Sequence, residues 1–184
     1  MKKGIFIILS ALFLNSCARI GTQTLYRTPE NFYIQKVGFS QFEGDNIINK
    51  AFPHAGNIFA TTVIQTFNEY GFKKPKNIMS KISFEYPDNK EIIKICNEND
   101  LDGILLTKLK FIHSTYDIYS IPTFQNYDTE VEMKLIDKFG ILLINTKHNT
   151  FTGNSYIMPP TADRTVHDGT KGALKRMIEE MGIN

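Results

Sequence analysis

The chain has 184 residues, of which 42% are hydrophobic and 12% aromatic; this suits one folded domain with a short targeting segment and argues against disorder. Lys2 and Lys3 account for the formal charge of +2, so basic and acidic side chains balance once residues 1–16 are set aside. A neutral body exerts no long-range pull on nucleic acid or anionic lipid, and no nucleic-acid partner is expected.

Met1 to Cys17 begins with two lysines, continues through an apolar run from Gly4 to Leu14 broken by Ser10, and turns polar just before the cysteine. That is the layout of a signal peptide, and the run is too short for a spanning helix, which needs about 20 apolar residues. Leu14-Asn15-Ser16-Cys17 resembles the lipobox of bacterial lipoproteins. The resemblance implies removal of residues 1–16 and diacylation of the Cys17 sulfur, commonly with a third chain on its amine, a palmitate-type anchor. Each buried methylene contributes about 0.8 kcal/mol, so two or more chains hold without a protein span. Ala18, standing where an Asp favours inner-membrane retention, points to the inner leaflet of the outer membrane, facing the periplasm. An ordinary signal peptide with an incidental cysteine is the alternative. Cys96 is the other cysteine; it shares the apolar register of a helix with Ile92 and Ile93 and is expected to be a buried thiol.

Residues 18–32 lack a sustained period and contain Gly21 and Pro29, so 17–32 is read as lipidated cysteine plus tether and 33–184 as a single domain. "YIQKVGFSQF" suggests a strand. Ala55, Ile58, Phe59, Thr62, Val63, Thr66, Phe67 and Tyr70 recur at helical spacing before Gly71. "KISFEY", 81–86, is a strand candidate, and Asp88 with Glu91 has capping-box spacing for a helix ending near Asn99. "DGILLTKLKFIHSTYDIYS" reads as a long strand. "YDTEVEMKLID" alternates, with Asp128, Glu130, Glu132 and Lys134 assigned to a wet face. Asp137 to Gly140 supply a hairpin turn into "ILLINTKHNTFTG", with Gly140 at positive φ. Val166, Thr170, Ala173, Leu174, Met177, Ile178 and Met181 make the stripe of a last helix.

These elements predict an α+β fold with an α/β-like start: a mixed sheet of about five strands with three helices packed mainly on one face. The order, together with "DGILLTKLKF", "TEVEMKLID" and "KFGILLINTKHNTFTG", resembles the periplasmic domain shared by CsgG-like curli-secretion lipoproteins, LpoB-like activators of penicillin-binding proteins and TolB-type N-terminal domains, over roughly residues 33–182.

No catalytic or cofactor motif stands out, so catalytic residues, metal and cofactors are expected to be none. His54, His113, His148 and His167 are dispersed; Asp163 and His167 are one helical turn apart, too few for a metal site. Glu130 and Glu132 share a strand face that solvation explains as well as acid–base chemistry. In "HSTYDIYSIPTFQNY", 113–127, Pro122 marks a loop between the two long strands, and Tyr116, Tyr119, Phe124 and Tyr127 are the candidate partner-binding residues, or else rings packed over the sheet end. The expected role is a lipid-anchored, non-enzymatic envelope protein that binds another envelope protein in assembly, secretion or cell-wall synthesis, with homo-oligomerisation possible. The alternatives are a subunit of a multimeric outer-membrane secretion pore and a hydrolase of an envelope polymer.

Overall fold

A computed structural model describes residues 21–44, 52–73, 75–118, 121–150 and 160–183, with 113–118 and 121–127 as backbone. In chain order the elements are β1 Gly21–Arg27, β2 Val37–Ser40, β3 Glu43–Gly44, α1 Ala55–Glu69, β4 Lys76–Ile78, α2 Asn89–Asn99, β5 Gly103–Ile118, β6 Ile121–Asp137, β7 Leu142–Asn149 and α3 Ala162–Glu180. They form an α+β fold around one mixed sheet of seven strands, ordered β1-β7-β6-β5-β2-β4, with β3 paired to β5. β4, β2 and β5 run parallel, whereas β5, β6, β7 and β1 are antiparallel neighbours.

Topology explains where the helices lie. The chain moves outward from β2 to β4 through α1, then back across β2 to β5 through α2. Parallel crossovers are right-handed, so reversing the direction of travel places the two helices on opposite faces. Two cores result. α1 and α3 cover a core with Phe39, Leu105, Leu109, Val131, Met133 and Leu135; α2 covers a smaller one with Ile78, Phe84, Ile104, Leu106 and Ile136. Ile104 and Leu105 face opposite cores because side chains alternate along a strand.

The three anticipated helices form. In α1, Ala55, Phe59, Thr62, Val63, Thr66 and Phe67 are buried. Asp88 caps α2 by accepting a hydrogen bond from the Lys90 N–H, while Ile95 joins Ile92 and Cys96 in the buried stripe instead of Ile93. In the β6–β7 turn, Gly140 has φ of 82° and Asp137 Oδ1 accepts the Phe139 and Ile141 N–H groups. α3 approaches the sheet closely at Gly172, where a Cβ would lie 2.5 Å from His148 Nδ1.

Two expectations are corrected. Residues 21–27, read as tether, form edge strand β1. "KISFEY" buries Ile82 and Phe84 but forms no strand: the Phe84 N–H donates to Glu43 Oε2 and its carbonyl accepts from Lys134 Nζ, so side chains take the bonds a ladder would use. The short parallel strand lies earlier, at β4.

Candidate functional site

One end of the sheet gathers most of what the sequence singled out. Gly21 pairs with Asn149, Asn149 with Glu130 and Glu130 with Lys110, a line running across four strands. Past that line β5 and β6 continue as a ribbon whose ladder runs from Ile112↔Asp128 to Ile118↔Ile121. Among the described residues, no third strand pairs with this part. The long strand anticipated from Asp102 holds over 103–118, whereas the loop anticipated at Pro122 is strand from Ile121 onward: Tyr116 is the register partner of Phe124, and His113 of Tyr127. Pro122 stands opposite Asp117 beside a register shift, where a missing N–H interrupts the ladder least. The structure brings Tyr116, Phe124 and Tyr127 onto one ribbon; Tyr119 and Cys17 lie outside the described residues.

At the ribbon root the wet face is drier than the alternation implies. Asp128 is fully buried, and loss of solvent pushes its carboxyl above the ordinary carboxylate range. Glu130 and Glu132 are half-buried but engage different partners, Lys147 Nζ at 2.7 Å and Asn145 Nδ2 at 2.9 Å. Lys108 pairs with Glu85 on the neighbouring segment. Glu130 and Glu132 thus each have a partner of their own and do not act as a facing acid pair.

A second set, not foreseen in the sequence, fastens β1 to the body. Arg176 Nε donates to Thr24 Oγ1 at 2.8 Å, and Thr24 Oγ1 donates to Glu180 Oε1 at 2.8 Å. Arg27 Nε donates to the Glu180 carbonyl at 2.9 Å, and Arg176 also pairs with the Glu180 carboxylate at 2.6 Å. Thr22 Oγ1 lies 2.7 Å from His148 Nδ1. Burial beneath α3 pulls the His148 pKa below its usual value, partly opposed by Asp168. The period-two placement of Thr22 and Thr24 was the only local signal; their partners lie more than a hundred residues away.

The remaining candidates separate. His167 Nδ1 sits 2.9 Å from Asp168 Oδ1, so its near acid is Asp168, not Asp163. His54 precedes α1 without a side-chain cap bond. Cys96 is buried, and burial, aided by the charges of Asp137 and Asp102, pushes its thiol up to about 11. An open hollow of about 410 Å³ at the start of α1 is lined by Phe39, Phe42, Phe52, Asn77 and Met79 among others. Among the described residues there is no cluster of three metal-ligating side chains, and no helix is long and apolar enough to cross a membrane.

No family model matches the chain, and no curated protein matches it. Solved structures do. A PelC dodecamer from Paraburkholderia phytofirmans is 10% identical, over 89% of this chain and 97% of that one, with a TM-score of 0.58. A variant of the same dodecamer gives 11% identity, 89% and 98% coverage and a TM-score of 0.56. Lipoprotein GNA1162 from Neisseria meningitidis is 14% identical over 81% of this chain and 99% of that one, with a TM-score of 0.32. The PelC matches establish a shared fold across most of the chain.

Proposed function

We propose that the chain is a lipid-anchored, non-enzymatic envelope protein that binds another envelope protein in assembly, secretion or cell-wall synthesis and works as a homo-oligomer. The observation that carries this reading is the boundary at Leu14-Asn15-Ser16-Cys17, where an apolar run ends at a cysteine only four residues before the first strand. Separately partnered carboxylates, dispersed histidines and a buried Cys96 support a binding role over a catalytic one. The PelC fold, solved as a dodecamer, supports self-association. The resemblance to CsgG-like, LpoB-like and TolB-type domains belongs to the same reading. Purification of the acylated protein from crosslinked envelopes should return one reproducible protein partner alongside crosslinked multimers; repeated recovery of a bare monomer would count against it.

The ribbon favours one second reading, a subunit of a multimeric pore. A membrane-spanning strand needs about 9 to 11 residues, and the ribbon offers 112–118 and 121–128 before the body begins. That is short of a span, so the accessory reading stands first. Detergent-resistant rings enclosing a stained channel in electron micrographs would reverse the order.

A further inference from the structure

We infer that the β5–β6 ribbon rests in the lipid leaflet that holds the acyl chains of Cys17, as an interfacial foot that does not span. The inference depends on the lipid-anchor reading of Cys17 and goes beyond it by assigning the ribbon's partner. It takes the residues anticipated as a protein-contact surface and gives them to lipid.

Placement is the first ground. The first residue of β1, Gly21, and the root of the ribbon at Lys110 and Glu130 lie on one line across the sheet, so the segment leading from Cys17 joins the body at the end from which the ribbon leaves it. Adjacent strands are about 4.8 Å apart, which separates β1 from β5 by only about 14 Å. Reach is the second ground. Cys17 to Gly21 is about four residues, at most ~14 Å even when fully extended. From Lys110 to Ile118 the ribbon runs about eight residues, or ~26 Å at strand rise. With the ribbon directed toward the bilayer, its far end passes the level of Cys17 by at least ~12 Å and at most ~26 Å, enough to reach the boundary of headgroups and acyl chains, about 5–10 Å deep, and short of the ~30 Å hydrocarbon core.

Chemistry is the third ground. Residues 112–118 and 121–127 contain two tyrosines, one phenylalanine and three isoleucines, with Asp117 as the one acid and no lysine or arginine. Tyrosine and phenylalanine suit the membrane–water boundary, where an apolar ring and a polar tip are both satisfied. Without cations the ribbon has nothing with which to seek anionic lipid, so the contact is apolar and a zwitterionic leaflet suffices. An isolated two-stranded ribbon is marginal in water, and a lipid leaflet is one source of apolar cover for it.

The test uses the full acylated protein, its Cys17 modification verified by mass, in phosphatidylcholine vesicles with and without nitroxide-labelled lipid. A fluorophore is placed at Thr123→Cys or, independently, Gln125→Cys on the ribbon, and at Lys138→Cys in the turn at the opposite end of the sheet. Buried Cys96, its thiol held at about 11, leaves the new cysteine as the labelling site. Nitroxide lipid should quench both ribbon labels at least about threefold more than the Lys138→Cys label, and raised salt should not release them because the contact is not ionic. Equal quenching at both ends, or ribbon labels left in water and shielded only by a copurifying protein, would overturn the inference while acylated Cys17 keeps the anchor reading intact. A bare Cys17 would end both.

Discussion

The same two strands lead different lives in the body and in the ribbon. In the body, Leu105 and Leu109 of β5 and Val131, Met133 and Leu135 of β6 are fully buried between neighbouring strands and helices. Phe111 and Thr129 still pack against the body, Thr129 Oγ1 donating to Thr165 Oγ1 of α3; beyond them the ladder continues with the same antiparallel pairing, and no further strand pairs with it among the described residues. Hydrogen bonding between β5 and β6 therefore does not distinguish the regions; pairing with further strands does. A ladder fixes backbone direction, whereas most of the stability comes from apolar surface removed from water, about 25 cal/mol per Å². The body strands are built to hold the fold, and the ribbon strands are free to meet something outside it.

Substitutions can break this contrast, beginning in the core. Leu109→Ala removes a fully buried side chain and should cost about 3 kcal/mol, a fall in melting temperature of about 6–12 °C for a domain this size. A change under about 1 kcal/mol would mean that the body is no better packed than the ribbon. Gly172→Ala should cost about 1–3 kcal/mol, because its Cβ meets the His148 ring and that ring must shift. It should also speed amide exchange in β1, whose Thr22 leans on His148; unchanged exchange there would show that the Arg176–Glu180 network holds the strand alone. Asp88→Ala should cost about 1 kcal/mol through loss of the α2 cap, read as a denaturation midpoint.

A smaller effect is a pH dependence. The folded state holds the His148 pKa below its unfolded value, so the unfolded chain binds more protons as pH drops through the window between the two. The stability from neutral His148 is thus fully present above about pH 6.5 and declines below it. His148→Gln should flatten the acid side of a stability–pH curve, and an unaltered slope would refute this. Smallest of all, the double variant Tyr116→Ser/Phe124→Ser should leave stability within about 0.5 kcal/mol, since both residues lie past the part of the sheet where β6 pairs with β7. A sharp fall in melting temperature would make these rings part of the core after all.

Sequence pattern reached those parts of the fold whose cause is local. Helical spacing marked α1 and α3, Asp88 marked the start of α2, and the Asp137–Gly140 turn marked the β6–β7 hairpin. β1 escaped because an edge strand with one paired side needs no apolar alternation, and its fastening to Arg176 and Glu180 crosses the whole chain. "KISFEY" misled because β-branched and aromatic residues were needed there for burial, while its backbone bonds went to Glu43 and Lys134. Pro122 suggested a loop, yet it falls beside a register shift in a ribbon with nothing further to pair, where proline is tolerated. Asp128 continued a charged alternation that gave no sign of its burial. The candidate contact residues were legible as an aromatic cluster; their place on a ribbon sharing an end with the anchor emerged only from the register.

The most direct test is the mass of the mature protein's first residue, taken from the native envelope. A chain beginning at Cys17 and carrying two or three acyl groups is the predicted result. An unmodified product starting at any other position would contradict the anchor and remove the ribbon's reason to face lipid.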